Sequence, residues 1–397
     1  MAKRARIHSR NVQPQVAAPK GLFAAARVQR LDFPLSIAVQ DIDELGRKLH
    51  VGTTSDVPNV AVVLDAFDVS HNTFSYFTGY TPSTFPASGV SVTSFKNIDV
   101  IGQISDTAGA YIVNSIYVKR GIVTAMNATF GVRADSTVAY TISSNSKKAF
   151  RQPVFYDSFT ASGTQSTFVL SNVPTWLTRT SGYTINAYLD SAIGTSAFLN
   201  EGATLDYTVA GSTVTLVVPA VAADRYWFTY TSPVTTSTFQ GYDNVAPAAI
   251  QGKYVPLSIS VNSIPRVQSA TISATFTADQ ILEMGGLGKP VGYEIGVPTV
   301  AGTLSVLKTD DDLLAILEGV SNTTIEQDAS FALTTLPLKI QLKDPRNPAI
   351  VALTYYVPSI TIDAHGDDST VNASMNETFG WRSTTGDLFV ASGNGPW

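Results

Sequence analysis

The chain contains itself twice, and this duplication limits what it can fold into more than any other feature. Val28-Gln29 recurs as Val267-Gln268, Ile42 as Ile281 and Glu44-Leu45-Gly46 as Glu283-Met284-Gly285, all at an offset of 239 positions. After one inserted residue the offset is 240: Val51-Gly52 meets Val291-Gly292, Val57-Pro58 meets Val297-Pro298, Leu64 meets Leu304 and Gly79 meets Gly319. Two offsets that hold over so long a stretch are hard to reach by chance. More weakly, Tyr117-Val118 matches Tyr356-Val357, and Asp135-Ser136-Thr137-Val138 returns as Asp368-Ser369-Thr370-Val371 with the intervening loop shortened. Solenoid repeats have periods of roughly twenty to fifty residues, whereas each copy here is large enough to own a core. The expectation is two homologous domains, 28–150 and 247–397.

Composition narrows the class. Of 397 residues 44% are hydrophobic, enough for packed cores, and only 14% are charged. Ser, Thr, Val, Ala and Gly dominate, the diet of sheets and tight turns, so the expected class is mostly β. A net charge of −5 gives no basic footprint of the kind a tight nucleic-acid binder needs. No cysteine is present, which removes disulfides, thiolate metal sites and cysteine nucleophiles together. No long apolar run suits a membrane span and no apolar segment follows the basic start, so neither a span nor a secretory leader is expected.

Residues 1–27 carry Lys3, Arg4, Arg6 and Arg10 among polar neighbours with no hydrophobic period. They read as a basic arm, either solvated and flexible or ordered against an acidic neighbouring subunit. In the first copy a short helix is predicted over Asp41–Gly46 and a second before Gly79. The stretch Tyr80–Phe95, with Thr81, Pro82, Phe85 and Pro86, breaks all periodicity and reads as a long exposed loop, an interaction loop or a bare excursion. Between Gln152 and Pro233 short strands and turn signals, including Val209-Ala210-Gly211-Ser212, predict a small β-sandwich inserted between the copies; with its linker it spans 151–246. In the second copy Thr309 caps Asp310-Asp311-Asp312 and an apolar run closed by Gly319, a helix signature rather than a metal site, because consecutive helical carboxylates diverge.

The two segments that share Asp-Ser-Thr-Val predict strands with one buried and one wet, uncharged face. Thr137, Ala139, Thr141 and Ser143 oppose Val138, Tyr140 and Ile142; Thr370, Asn372, Ser374 and Asn376 oppose Val371, Ala373 and Met375. Catalytic chemistry is hard to find. His8, His50, His71 and His365 share no ligand spacing and read as lone surface histidines. Gly285-Gly286-Leu287-Gly288-Lys289 lacks phosphate-loop spacing, no nucleophile elbow occurs, and no carboxylate pair stands out. Neither an enzyme activity, a metal nor a cofactor is expected.

The insert resembles Ig-like modules of phage structural proteins, through Gly163–Leu170 and the hairpin Asp206–Thr215. Each copy resembles the tail tube protein of long-tailed bacteriophages: the extended segment VQSATISATFTADQILEMG, the strand GVPTVAGTLSVL, the helix TDDDLLAILEG and the late DSTV strand, degraded in the first copy where Ser70 and Asn72 replace helix acids. The resemblance implies two β-sandwich or barrel domains with short helices, whose inner strands join those of neighbours into a closed barrel. It implies a virion tail protein assembled in the host cytoplasm, with itself as chief partner. Three duplicated chains would complete a pseudo-sixfold ring, and rings would stack into a tube. The lumen would pass DNA and the tape-measure protein; sheath, tail-terminator and baseplate proteins are further partners, and no membrane insertion is implied. The wet faces named above would line the bore, and the basic arm with Tyr80–Phe95 would contact the next ring. The competing readings are a baseplate hub or distal-tail protein, and a glycan-binding adhesin that uses Trp176, Tyr226 and Trp227.

Overall fold

Apolar and polar residues alternate along most of the chain, and strands follow from that pattern. The computed structural model describes residues 12–25, 27–37, 39–42, 52–55, 58–67, 70–106, 111–175, 185–191, 197–202, 204–234, 249–260, 262–282, 290–308, 335–368 and 375–397. The fold is mostly β with large antiparallel sheets. The first part of the chain supplies β1 (Val12–Ala18), β2 (Gly21–Ala24), β3 (Val28–Asp32), β4 (Leu35–Ser36), β5 (Val39–Ile42), β6 (Gly52–Ser55), β7 (Asn59–Ala66), helix α1 (His71–Phe77), β8 (Val90–Ser91), β9 (Ile98–Ser105), β10 (Ile112–Gly131), β11 (Thr137–Ser144) and β12 (Lys147–Phe150). The middle supplies β13 (Val154–Thr160), β14 (Thr167–Val169), β15 (Asn186–Asp190), β16 (Ala197–Leu199), β17 (Tyr207–Ala210), β18 (Thr213–Leu216) and β19 (Arg225–Thr231). The last part supplies β20 (Leu257–Ile259), β21 (Asn262–Ser263), β22 (Val267–Thr275), β23 (Ala278–Leu282), β24 (Pro290–Ile295), β25 (Thr299–Leu307), β26 (Leu336–Asp344), β27 (Asn347–Asp368), β28 (Asn376–Ser383) and β29 (Phe389–Ser392).

The pairings repeat. The order β3–β7–β11–β10–β9–β1–β2 recurs as β22–β25–β28–β27–β26–β20–β21, and β10–β12 recurs as β27–β29. Irregularities repeat too: the register shifts between Val28 and Arg30 and between Val267 and Ser269, and again between Val123 and Ala125 and between Ile362 and Ala364. Arg27 and Arg266 are both left-handed, at φ 53° and 59°, a conformation uncommon outside glycine. In each case the arginine carbonyl accepts from the glutamine two residues on, Gln29 at 3.2 Å and Gln268 at 3.0 Å.

Two compact units form. One comprises residues 1–25, 96–121 and 144–244. In it β1 pairs with β2 and β9, while the first half of β10 pairs with β9 and β12. The insert contributes two sheets, β13-β19-β15-β16 and β14-β18-β17, that enclose Phe155, Phe168, Val214, Phe228 and Tyr230. Gly211, at φ 59°, opens the two-residue turn between β17 and β18. The central strand β19 is buried on both faces because both are covered: Tyr226, Phe228 and Tyr230 enter that core, while Trp227 packs with Ala17, Ile101, Tyr117, Val154, Tyr156 and Tyr188.

The second unit comprises residues 26–95, 122–143 and 245–397. Its main sheet runs β3/β4–β7–β11–β10–β22–β25–β28–β27, with β26, β20 and β21 beyond the first half of β27 and β8 paired to β29. Helix α1 begins where the Ser70 side chain accepts from the Asn72 N–H at 3.3 Å, and it buries Phe74 and Phe77. Hairpins β5–β6 and β23–β24 stand as separate two-stranded sheets.

Several expectations need correction. The basic arm ends earlier than residue 27: Val12–Ala24 is a hairpin whose Val16 and Ala17 are buried against β9, because its apolar run has a strand to cover. Asp41 and Ile42, expected in a helix, belong to β5, paired to β6. Tyr80–Phe95 is no bare loop: Val90, Val92, Phe85 and Phe95 are buried, with a short 3-10 turn at Pro82–Thr84. The insert does not stand alone, since Trp227 and Tyr188 share a core with β1, β9 and β10. The segment expected as one domain, 28–150, is divided between the two units. Of the second DSTV tetrapeptide only Asp368 lies among the described residues. By pairing, Thr137–Ser144 matches Asn376–Ser383 at the offset of 239, while Asp368 ends β27. Met375, expected in the core, is exposed.

Candidate assembly interface

The two strand sets meet within one sheet, where β10 pairs with β22. The register runs from Ala125 opposite Thr275 to Gly131 opposite Ser269. The ladder is framed by Phe276 N–H donating to the Thr124 carbonyl at 2.8 Å and Val132 N–H donating to the Gln268 carbonyl at 3.0 Å. Met126, Ala128 and Phe130 thereby lie opposite Ala274, Ile272 and Ala270, and all six are buried. Cross-strand apolar pairs of this kind are what holds a sheet join together.

The same two edges occur a second time, with no strand ladder on either among the described residues. The outer side of β3 and β4, equivalent to the side of β22 that meets β10, pairs with nothing described; nor does the outer side of Ala364–Asp368, equivalent to Ala125–Thr129. Leu35 and Ile37, whose counterparts Ala274 and Phe276 are buried, are 50% and 47% exposed.

At the β27 edge the core-facing chemistry changes. The positions of Met126, Ala128 and Val138 are held by His365, Asp367 and Glu377. His365 Nε2 lies 3.0 Å from Glu377 Oε1, and its ring stacks on Phe379 at 4.9 Å. Lys308 Nζ lies 3.1 Å from Asp367 Oδ1 and 3.7 Å from Glu377 Oε1, whose side chain is 2% exposed. An imidazole and two carboxylates this close could hold a divalent ion; the Lys308 ammonium already supplies a cation there. The expectation that His365 is a lone surface histidine is thus overturned. His365 and Asp367 are two apart on one strand, a signal visible in sequence, but Glu377 joins them only through the β27–β28 register. His71 Nε2 donates to the Pro82 carbonyl, 3.2 Å away, and its ring stacks on Phe85; His8 and His50 lie outside the described residues.

The wet face expected for β11 is present and wider than one strand. Thr137, Ala139, Thr141 and Ser143 are half-buried and alternate with buried Val138, Tyr140 and Ile142. Thr137, Thr129, Thr271, Thr303 and Gly380 follow one another across five strands, as do Ala139, Asn127, Ser273, Ala301 and Arg382. Thr271 and Thr303 hydroxyls meet at 2.8 Å. Asn376 lies on this side with Thr378; Thr370, Asn372 and Ser374 lie outside the described residues. The face is not wholly uncharged, since Arg382 reaches Asp363 at 3.4 Å.

Of the residues expected between rings, Phe85 and Phe95 are core, edge-on to Phe74, with Phe95 also against Phe77 and Phe276. Tyr80, Thr81, Pro82 and Pro86 remain partly exposed, and Lys3, Arg4, Arg6 and Arg10 lie outside the described residues. Tyr226 and Trp227, the glycan candidates, are buried, and Trp176 lies outside the described residues. Among the described residues no helix is long and apolar enough to cross a membrane. No protein-family model and no curated protein matches the chain.

Proposed function

We propose that this protein polymerises as stacked rings into the tail tube of a long-tailed bacteriophage and forms the conduit for the genome. One observation carries the reading: two equivalent strand sets are joined edge to edge within the chain, and the same pair of edges occurs again with no strand pairing among the described residues. A head-to-tail join of this heterologous type closes into a ring when its rotation divides a full turn. With two sets per chain, three chains complete a pseudo-sixfold ring. The five-strand face of Thr, Ser, Asn and Ala suits a bore, because a lining of Lys and Arg would condense on phosphates and hold DNA back. DNA and the tape-measure protein are the proposed transients in the lumen; sheath, terminator and baseplate proteins are proposed neighbours.

Electron microscopy and native mass measurement of the purified chain test this. The expected result is long hollow cylinders of uniform bore built from three-chain rings. Six chains per ring would refute the pseudo-sixfold count, and a protein that stays monomeric would refute the tube. Isolated single rings would favour the hub or distal-tail reading. The adhesin reading loses two of its three aromatics, because Tyr226 and Trp227 are enclosed.

A further inference from the structure

We propose that Gly393–Trp397 is a strap that closes, on the second strand set, the seat that the insert occupies on the first, and that Trp397 thereby positions Pro86–Val92 within the Tyr80–Phe95 stretch. The strap stands on contacts within the chain; only its last step, to contacts between rings, rests on the tube reading.

Strand pairing identifies the two seats. Ser115 lies opposite Gln103 and Phe150, as Thr354 lies opposite Gln341 and Ala391. Tyr117 and Tyr356 stand two residues further along the same strands, on the same face as Ser115 and Thr354. Two residues beyond Phe150 and Ala391 the backbone is tied down in the same way. Ser115 Oγ donates to the Gln152 carbonyl at 2.8 Å, and Thr354 Oγ1 donates to the Gly393 carbonyl at 2.6 Å. The glutamines repeat the pattern, Gln103 Nε2 donating to the Val154 carbonyl at 2.6 Å and Gln341 Nε2 to Asn394 Oδ1 at 3.3 Å. A tryptophan then closes each seat: Trp227 of the insert packs in the cluster around Tyr117, and Trp397 stacks on Tyr356 with ring centroids 4.3 Å apart. Insert and strap thus meet one requirement, an aromatic cover for a tyrosine on a paired strand.

The second seat is shaped for the indole. Phe389 flanks it at 6.1 Å, and Lys339 Nζ donates to the Trp397 carbonyl at 3.1 Å. Gly89, at φ 86°, and Gly395, at φ 67°, approach so closely that an added Cβ on either would run into the ring, on Gly89 at 2.5 Å. Gly89 belongs to the first copy and directly precedes β8. The whole ladder of β8 is Val90 opposite Val390 and Ser91 opposite Phe389, continued by the Val92 N–H donating to the Leu388 carbonyl at 3.0 Å. So short a ladder is marginal without cover. Val90 and Val92 are buried, but Gly89 has no side chain to anchor, and the indole is what packs against it. Tyr80, Thr81, Pro82 and Pro86, partly exposed, lie just before this clamp, and the tube reading sets them against the next ring.

Hydrogen exchange of the full chain, read by mass spectrometry, tests the strap. Trp397→Ala should speed exchange in peptides covering residues 86–92 by about fivefold, the loss of one aromatic pair, and leave peptides of β22 and β25 unchanged. Trp397→Phe keeps a stacking ring and should restore most of the protection. Lys339→Met, which removes one bond to the strap and no ring, should give a smaller rise in the same peptides, and it carries the comparison if Trp397→Ala does not fold. Trp397→Ala should also raise the chain concentration needed for tubes, by up to about the same factor, because only the ordered fraction docks. Unchanged exchange at 86–92 in the alanine and methionine variants overturns the strap and leaves the tube reading standing. A rise shared equally by β22 and β25 overturns positioning in favour of a general core role. Selective loosening with tubes at the wild-type concentration overturns the step to ring contacts. A wild-type chain that forms no tubes overturns the tube reading, while exchange still decides the strap.

Discussion

Asp99 lies fully buried on β9 and accepts four hydrogen bonds: from Tyr117 hydroxyl at 2.6 Å, Thr229 at 2.9 Å, Asn186 at 3.2 Å and the Arg120 N–H at 2.9 Å. Asn186 and Thr229 belong to the insert, so this one carboxylate fastens the insert to β9 and β10. Burial pushes its carboxyl up, and the four donors only partly offset that. A raised folded-state value means that its contribution to stability is full below the unfolded aspartate range and is lost as pH rises through the folded value. Asp99→Asn cannot ionise, so the stability of wild type minus that of Asp99→Asn should shrink from acid to neutral pH in thermal melts. A difference that widens with pH would contradict burial as the dominant cause. Asp99→Ala leaves three side-chain donors and an N–H unanswered and should cost about 3 kcal/mol or more by denaturant titration. None of this was legible beforehand, since Asp99 sits in an apolar run and two of its partners, Asn186 and Thr229, come from more than eighty residues away.

At the scale of elements, local period was readable and partnership was not. The alternation of Thr137–Ser144 and the two-residue turn after β17 were visible because each depends on neighbours in sequence. The tetrapeptide DSTV misled, because a strand is defined by what it pairs with, and β28 takes its place between β25 and β27 starting at Asn376. Prolines and glycines in Tyr80–Phe95 read as exposure, yet the rings at either end of the stretch anchor it beside α1. Phe95→Ala should therefore destabilise the fold by about 3–5 kcal/mol, as for a core aromatic, where a contact used only between rings would leave the isolated chain's melting unchanged. Gly302 marks a close approach in β25: an added Cβ would meet the Thr271 carbonyl oxygen at 2.0 Å and the Trp381 ring at 2.5 Å. Gly302→Ala must move backbone, and it should lower the chain's melting temperature, whereas Gly211→Ala in a turn with open space meets only its φ strain.

On the scale of the whole molecule, the proposed tube gives the duplication a consequence for transport. If three chains close a ring, the Thr/Ser/Asn ladder from β11 to β28 recurs round the bore, and its charge sets the friction felt by passing DNA. Thr141 and Thr303 lie on that ladder away from the open edges and from the His365 cluster, so a lysine there tests the bore without touching assembly. Thr141→Lys with Thr303→Lys should leave tubes of normal length, while virions carrying the pair eject DNA slowly, with the delay relieved as salt screens the added charges beyond about 8–10 Å. Arg382, already balanced by Asp363, gives the complementary arm: Asp363→Asn frees that guanidinium and should slow ejection in the same salt-dependent way. Unimpaired ejection from both variants, together with a changed electrophoretic mobility of intact tubes, would move the ladder to the exterior and leave the join between strand sets as the only part of the reading still standing.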